Sequence, residues 1–197
     1  ELIARKLQEV AMGKCRRLMI FLPPRHGKSE LASIKFPAWF LGRYPEKSII
    51  SCSYSADLAE DFGRYTRSQV DTEVHRKIFP GCQLLTGSKS ATRWKVSTRG
   101  GYRGTGVGGS ITGAGADVLI IDDPIKNREE AESETIRRKV WDWYTSTAYT
   151  RLEKNGCVIL IMTKWHDDDL GGRLLDLEGE KGYHLNTKAN RWEKTTT

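Results

Sequence analysis

A lysine, a hydroxyl and a carboxylate of the kinds that together hold a nucleoside triphosphate and its metal stand in suggestive contexts in this chain. The segment Leu22-Pro23-Pro24-Arg25-His26-Gly27-Lys28-Ser29-Glu30 follows a short apolar run and opens a helix-like stretch. That is the setting of a phosphate-binding loop, where backbone N–H groups and the positive end of a helix dipole face an anion. In such a loop Lys28 reaches the β- and γ-phosphates of ATP, and the Ser29 hydroxyl ligates Mg²⁺. Pro24, Arg25, His26, Gly27 and Glu30 complete the candidate ATP-binding segment, and Arg25 is placed to touch the nucleotide of its own subunit. Leu22 stands where G-x-x-x-x-G-K-[ST] has its first glycine, so the match is partial. Gly-Lys-Ser alone is compatible with an ordinary turn; the flanking elements point to phosphate.

Asp122 supplies the second half of such a site. It closes the apolar run Val118-Leu119-Ile120-Ile121, where a carboxylate can share the Mg²⁺ held by Ser29. Read in isolation, Asp122-Asp123-Pro124 is a turn and helix cap. Asp123 is the candidate for orienting the attacking water and accepting its proton. Glu129, Glu130, Glu132 and Glu134 follow, and fit a helix N-terminal turn better than catalysis.

The elements that must position these residues alternate between strands and helices. Residues 2–12 carry Leu2, Ile3, Leu7 and Val10 at helical spacing. Residues 18–22, 48–53, 118–121 and 158–162 are short, continuous apolar runs suited to strands buried on both faces. Helices are expected at about 28–41, 56–70, 129–150 and 169–176. Ten glycines fall within residues 80–116, where Trp94-Lys95-Val96-Ser97-Thr98 suits one strand of a hairpin turning at Gly100-Gly101. The alternation implies an α/β domain over residues 1–176, with a mainly parallel sheet covered on both faces. The polar residues 177–197 read as an extension or the start of a linker.

Composition narrows the function classes. At 197 residues the chain is long enough to bury a core without staples. Its formal charge of +7 suits a polyphosphate or nucleic-acid partner, and equally a merely soluble basic protein. Cys15, Cys52, Cys82 and Cys157 lie far apart with no C-x-x-C pair, which argues against a zinc site or disulfide framework. No apolar run is long enough to span a membrane, and no signal segment opens the chain.

Three blocks together resemble the ATPase domain of terminase large subunits from tailed bacteriophages. They are Pro23-Pro24-Arg25-His26-Gly27-Lys28-Ser29-Glu30, Ala116-Asp117-Val118-Leu119-Ile120-Ile121-Asp122-Asp123-Pro124, and Ile159-Leu160-Ile161-Met162-Thr163-Lys164-Trp165-His166-Asp167-Asp168-Asp169-Leu170, the last resembling a coupling motif. They occur in the family's order and span most of the chain. The resemblance implies a P-loop NTPase fold of the additional-strand (RecA-like) type, with the 158–163 strand between the two phosphate-site strands. It implies that Thr163 faces the γ-phosphate as a sensor; without it Thr163 is a plain strand-end residue. It also implies that Arg103, in Tyr102-Arg103-Gly104, serves as an arginine finger for a neighbouring subunit, against a solvated arginine on a glycine-rich hairpin. The function implied is ATP hydrolysis driving double-stranded DNA into a capsid. A homo-oligomeric ring on the portal, a small terminase subunit and the cytoplasm of an infected or lysogenic bacterial host would be its setting.

Two departures from the family pattern stand out. Many relatives carry Asp-Glu where this chain has Asp122-Asp123, which leaves the identity of the water-activating residue open. The family's C-terminal nuclease domain has no counterpart in 197 residues, so no DNA cleavage is expected of this polypeptide. The rival readings are a helicase-like P-loop ATPase, whose further motifs are not found, and a nucleotide-binding assembly module with little turnover.

Weaker signals remain. Trp165-His166-Asp167-Asp168-Asp169 suggests a metal cluster only superficially, since consecutive residues cannot all face one ion and carboxylates before a helix usually cap it. His26, His75 and His184 have no partner at ligand spacing. Arg93, Lys95, Arg99 and Arg103 interleave with Trp94 and Tyr102, which suits either a duplex-backbone contact or a solvated basic hairpin. Arg137-Arg138-Lys139 reads most simply as a solvated helix face.

Overall fold

The computed structural model describes residues 1–88, 90–111, 113–178, 183–186 and 191–194. Six strands form the main sheet: β1 (Arg17–Phe21), β2 (Ser48–Ser53), β3 (Arg93–Lys95), β4 (Gly101–Gly106), β5 (Ala116–Asp122) and β6 (Leu152–Met162). Their spatial order is β1-β6-β5-β2-β4-β3. All neighbours are parallel except the β3–β4 edge pair. The last strand in sequence, β6, therefore lies between β1 and β5, as the additional-strand type requires. Tyr183–Asn186 (β7) and Arg191–Lys194 (β8) pair antiparallel in a separate two-stranded sheet.

Alternation along the strands sends side chains into two apolar layers. Val118, Ile120, Ile159 and Ile161 pack with α1 (Leu2–Ala11), α2 (Phe36–Arg43) and α3 (Ala56–Val70). Leu119, Ile121, Val158 and Leu160 pack with α5 (Arg128–Glu132), α6 (Glu134–Trp143) and α7 (Leu170–Glu178). Burial on both faces explains why these strands read as unbroken apolar runs rather than as alternating ones. Each fully buried Ile or Leu contributes about 1.5–3 kcal/mol relative to exposure.

The helix after the phosphate loop departs from regular geometry in a way that serves the site. Residues Glu30–Lys35 form a wide π-type segment before α2 begins at Phe36. Pro37 has no N–H to donate back to the Ser33 carbonyl, so a regular α-turn cannot close there. The Ser33 carbonyl instead accepts the Thr66 hydroxyl of α3 at 3.2 Å. A sequence-determined gap in the helix ladder thus anchors the turn that carries Ser33.

Other expectations are corrected in detail. The 129–150 helix is broken at Ser133, whose hydroxyl caps α6 through the Ile136 N–H while Asn127 caps α5 through the Glu130 N–H. Two side chains that favour caps compete with helix continuation and prevail. Beyond α6 the chain passes through a π-type turn at Tyr144–Ala148 and a 3₁₀ turn at Tyr149–Arg151. A short helix that the periodicity does not announce, α4, spans Glu73–Ile78. The hairpin strand is Arg93–Lys95 rather than 94–98, because the chain turns over residues 96–100 and Gly101 already belongs to β4. Gly100 is required there, since a Cβ would overlap the Pro45 carbonyl.

Candidate active site

The carboxyl ends of β1, β5 and β6 meet on one rim of the sheet, and the loop 22–29 folds over it. Its path needs left-handed backbone at Arg25 (φ 64°) and Gly27 (φ 72°). Glycine adopts this freely, while arginine there costs about 1 kcal/mol. Leu31 N–H donates to the Gly27 carbonyl at 3.1 Å, so the first helical turn starts at the glycine and leaves the loop amides before it at a helix N-terminus.

Lys28 is buried and bridges two strand ends. Its ammonium donates to Thr163 Oγ1 at 3.0 Å and lies 2.9 Å from Asp123 Oδ2. The Thr163 hydroxyl in turn donates to the Leu22 carbonyl at 3.3 Å, and the Thr163 N–H donates to Asp123 Oδ1 at 2.9 Å. The four residues from three elements close one hydrogen-bonded circuit. Asp123 itself has φ 44°, an uncommon conformation for a residue other than glycine. It is held by its N–H to the Ile161 carbonyl at 2.7 Å and by its carbonyl accepting Tyr54 N–H at 3.2 Å. Strain of this kind persists where surrounding bonds over-determine it, as they do here.

Asp122 sits beside this circuit and is 1% exposed. Ser29 Oγ donates to its Oδ1 at 3.1 Å and Ser33 Oγ donates to its Oδ2 at 2.5 Å. Burial raises its pKa from 3.8 to about 6, against the opposing effect of the two serine hydrogen bonds. Neighbouring Asp123 raises it further and Lys28 lowers it. Ser33 is not among the residues singled out from the sequence, although its spacing of four from Ser29 places both hydroxyls on one helical face.

The donor set fits a hard divalent cation held jointly with phosphate. Among the described residues no three His, Cys, Asp or Glu side chains converge as a self-sufficient metal site. Mg²⁺ does not need one, since it is usually bound by one or two carboxylates plus substrate phosphates and water. One buried carboxylate and a hydroxyl at the loop's first helical turn are a set of that kind.

Other candidates lie apart. Arg25 and His26 are exposed on the loop, the His26 ring nitrogen 2.9 Å from the Pro24 carbonyl. Glu30 faces solvent and pairs with Lys35 at 3.4 Å. Glu130 accepts the Lys126 N–H and Glu132 pairs with Arg128, in keeping with helix-end roles. Arg103 lies on β4, four strands from β1 and so about 19 Å across the sheet. It donates to the Ser110 carbonyl at 3.1 Å. No arginine side chain spans that distance to the loop of its own subunit.

The weaker signals sort cleanly. Asp169 is buried and accepts N–H groups of Trp165, His166 and Gly172, capping the start of α7. Asp168 pairs with Arg137 and Arg173, whose guanidinium groups hold its carboxyl well below the usual range. Asp167 pairs with Lys164 at 2.9 Å. Three consecutive carboxylates thus have three different partners. Arg137 is a correction: it is buried rather than solvated, and also donates to the Ala131 carbonyl at 2.6 Å. The α6 face packs onto the segment after β6, which the local charge run does not reveal. His75 is buried with Nε2 3.0 Å from the Ala38 carbonyl, and the His184 side chain lies outside the described residues. Burial pushes the Cys52 thiol up to about 12 and that of Cys82 to about 11, consistent with small apolar roles.

Comparison with known proteins places this geometry in a family. No curated protein matches the chain. The large terminase of bacteriophage HK97 superposes with a TM-score of 0.60 at 15% identity, covering 89% of this chain and 36% of that one. The large terminase ATPase domain of Thermus phage P74-26 gives a TM-score of 0.54 at 20% identity, covering 79% of this chain and 64% of that one. An arginine-to-alanine mutant of that phage domain gives the same values. This chain therefore spans about a third of the HK97 protein and under two thirds of the Thermus phage domain, and these likenesses establish the fold. The family model for the N-terminal region of T4likevirus-type terminase large subunits matches residues 19–197, and the chain belongs to that family.

Proposed function

We propose that this domain binds ATP with Mg²⁺ on the 22–29 loop and hydrolyses it to drive double-stranded DNA into a capsid. The observation that carries this reading is the convergence of Lys28, Ser29, Asp122, Asp123 and Thr163 from three chain-distant elements on one rim. Lys28 receives the β- and γ-phosphates, while Ser29 and Asp122 hold the cation. Mg²⁺, when bound, neutralises charge on the phosphate oxygens.

Lys28 has a second task in this scheme. In the free domain it neutralises Asp123. A phosphate competing for the ammonium draws Lys28 away and leaves Asp123 Oδ2 as a proton acceptor for water. Nucleotide binding thereby prepares the base, and Thr163, bonded to both Lys28 and Asp123, registers the exchange. An Asp in place of Glu can serve, because the left-handed backbone projects it from a fixed point.

Completion of the site falls to a neighbouring copy. The loop follows one edge strand, β1, and Arg103 lies on β4 near the opposite edge of the same sheet. Head-to-tail packing of such edges closes into a ring when the rotation permits. In that ring Arg103 offsets transition-state charge in the adjacent subunit's site. A capsid portal, a small terminase subunit and the cytoplasm of a bacterial host complete the proposed setting.

Phosphate release measured with and without linear duplex DNA tests the reading. Mg²⁺-dependent release that rises with duplex and vanishes in Lys28→Ala is expected. Tight ATP binding without release would favour an assembly module, for which the engagement of both Asp123 oxygens is the supporting observation. Strand separation would favour a helicase.

A further inference from the structure

We propose that Arg93 is delivered with Arg103 as a paired guanidinium clamp to the triphosphate held by a neighbouring copy of this chain. The proposal rests on the assignment of Arg103 to that neighbour's site, and it adds a second residue to it.

The β3–β4 register sets Arg93 directly opposite Arg103, and Trp94 opposite Tyr102. Gly104 N–H donates to the Thr92 carbonyl and Val96 N–H to that of Gly100, so the even-numbered positions of β3 are the hydrogen-bonded ones. Arg93 and Arg103 therefore form a non-hydrogen-bonded pair, the closer kind, with Cα atoms about 4.5 Å apart. Trp94 and Tyr102 are buried on the other face and stack with ring centroids 5.2 Å apart at 7°. That stack fixes which face each strand presents and leaves the two arginines side by side.

Like charges directly opposed across a strand pair are destabilising. No acidic residue lies on β3 or β4 to offset them, and among the described residues Arg93 has no acidic partner. Arg103 is steadied by the Ser110 carbonyl, which is neutral. The pairing makes chemical sense when an anion sits between or before the two guanidinium groups. Arg93 is exposed and on the outermost strand, so a partner that reaches Arg103 from the sheet edge passes Arg93 first.

The anion in question has charge for both. During hydrolysis the water oxygen bonds to the γ-phosphorus as the bond to the β–γ bridging oxygen breaks. The bond's electron pair leaves with ADP, and the water proton passes to Asp123 of the subunit that holds the nucleotide. Negative charge is then spread over three equatorial oxygens and the leaving oxygen, more than one planar donor can cover.

The test is steady-state phosphate release by the full chain, at rising subunit concentration, for the parent, Arg93→Ala, Arg103→Ala, Lys28→Ala and their pairwise mixtures. Arg93→Ala is expected to lower the rate at high concentration at least about tenfold, a smaller effect than the ~10³-fold typical of a principal finger. Mixing it with Lys28→Ala should restore activity, because the latter donates intact arginines to the former's intact loop. Circular dichroism should give Arg93→Ala a melting temperature equal to or above the parent's, as a like-charge pair is relieved. An Arg93→Ala rate within about twofold of the parent overturns the proposal, as does failure of the mixture to recover while Arg103→Ala mixtures do. Loss of linear-duplex binding at an unchanged rate assigns Arg93 to DNA instead and likewise overturns it. If Arg103→Ala also fails to recover, or specific activity does not rise with concentration, the reading of Arg103 itself fails.

Discussion

Lys28 and Asp123 form an ion pair at 2.9 Å in which the lysine is 6% exposed and the aspartate 28%. The pair lies where a γ-phosphate must enter, so the free site is internally neutralised rather than open. Asp123→Asn separates the two roles of the carboxylate. It keeps an acceptor for the Thr163 N–H but loses the charge that holds Lys28. Phosphate release should fall by about 10²–10⁴-fold while calorimetric ATP affinity is retained or increased. Undiminished turnover would remove Asp123 from the chemistry.

Asp122 makes apo stability depend on pH. Its folded-state pKa, about 6, lies above the ordinary 3.8, so the folded domain holds that proton more tightly. The resulting stabilisation is full below about pH 3.8 and is lost as pH rises through about 6. Its size is about 3 kcal/mol as an upper figure. Asp122→Asn removes the dependence. Thermal melts without Mg²⁺ should show the variant more stable than the parent at pH 8, with the gap closing toward pH 4.

Ser33→Ala deletes the 2.5 Å hydrogen bond to Asp122 Oδ2 without touching Ser29. Loss of a buried bond to a carboxylate costs about 1–3 kcal/mol in melting experiments. ATP·Mg²⁺ affinity should fall several-fold in calorimetry, because the remaining single serine leaves the carboxylate harder to ionise. Equal affinity would reduce Ser33 to a packing residue.

The phosphate loop, Asp122 and the strand order are legible in the sequence because each depends on local pattern: an apolar run followed by Gly-Lys-Ser, another followed by Asp-Asp. Ser33 is hidden because its carbonyl is released by Pro37 and taken by Thr66, and only the folded helix pair joins those three. Arg137 escapes for a similar reason. A charge run on a helix says nothing of an aspartate 31 positions away that folds back onto it. The break at Ser133 shows capping side chains overriding an apolar stripe that continues on either side.

Arg137 joins α6 to the segment that follows Thr163. Arg137→Ala should lower the unfolding free energy by about 1–3 kcal/mol, since it removes a buried charge-assisted network with Asp168 and the Ala131 carbonyl. Arg137→Lys should recover little of it, because one ammonium cannot serve both partners with the fixed fork of a guanidinium. Denaturant melts measure both.

The central claim is that Lys28 leaves Asp123 for phosphate. A crystal structure of this chain with Mg²⁺ and a non-hydrolysable ATP analogue tests it most directly. The account predicts the Lys28 ammonium on the β- and γ-phosphate oxygens, Ser29 and Asp122 at the metal, and Asp123 released from the lysine. Nucleotide bound elsewhere, with the Lys28–Asp123 pair intact, would contradict it.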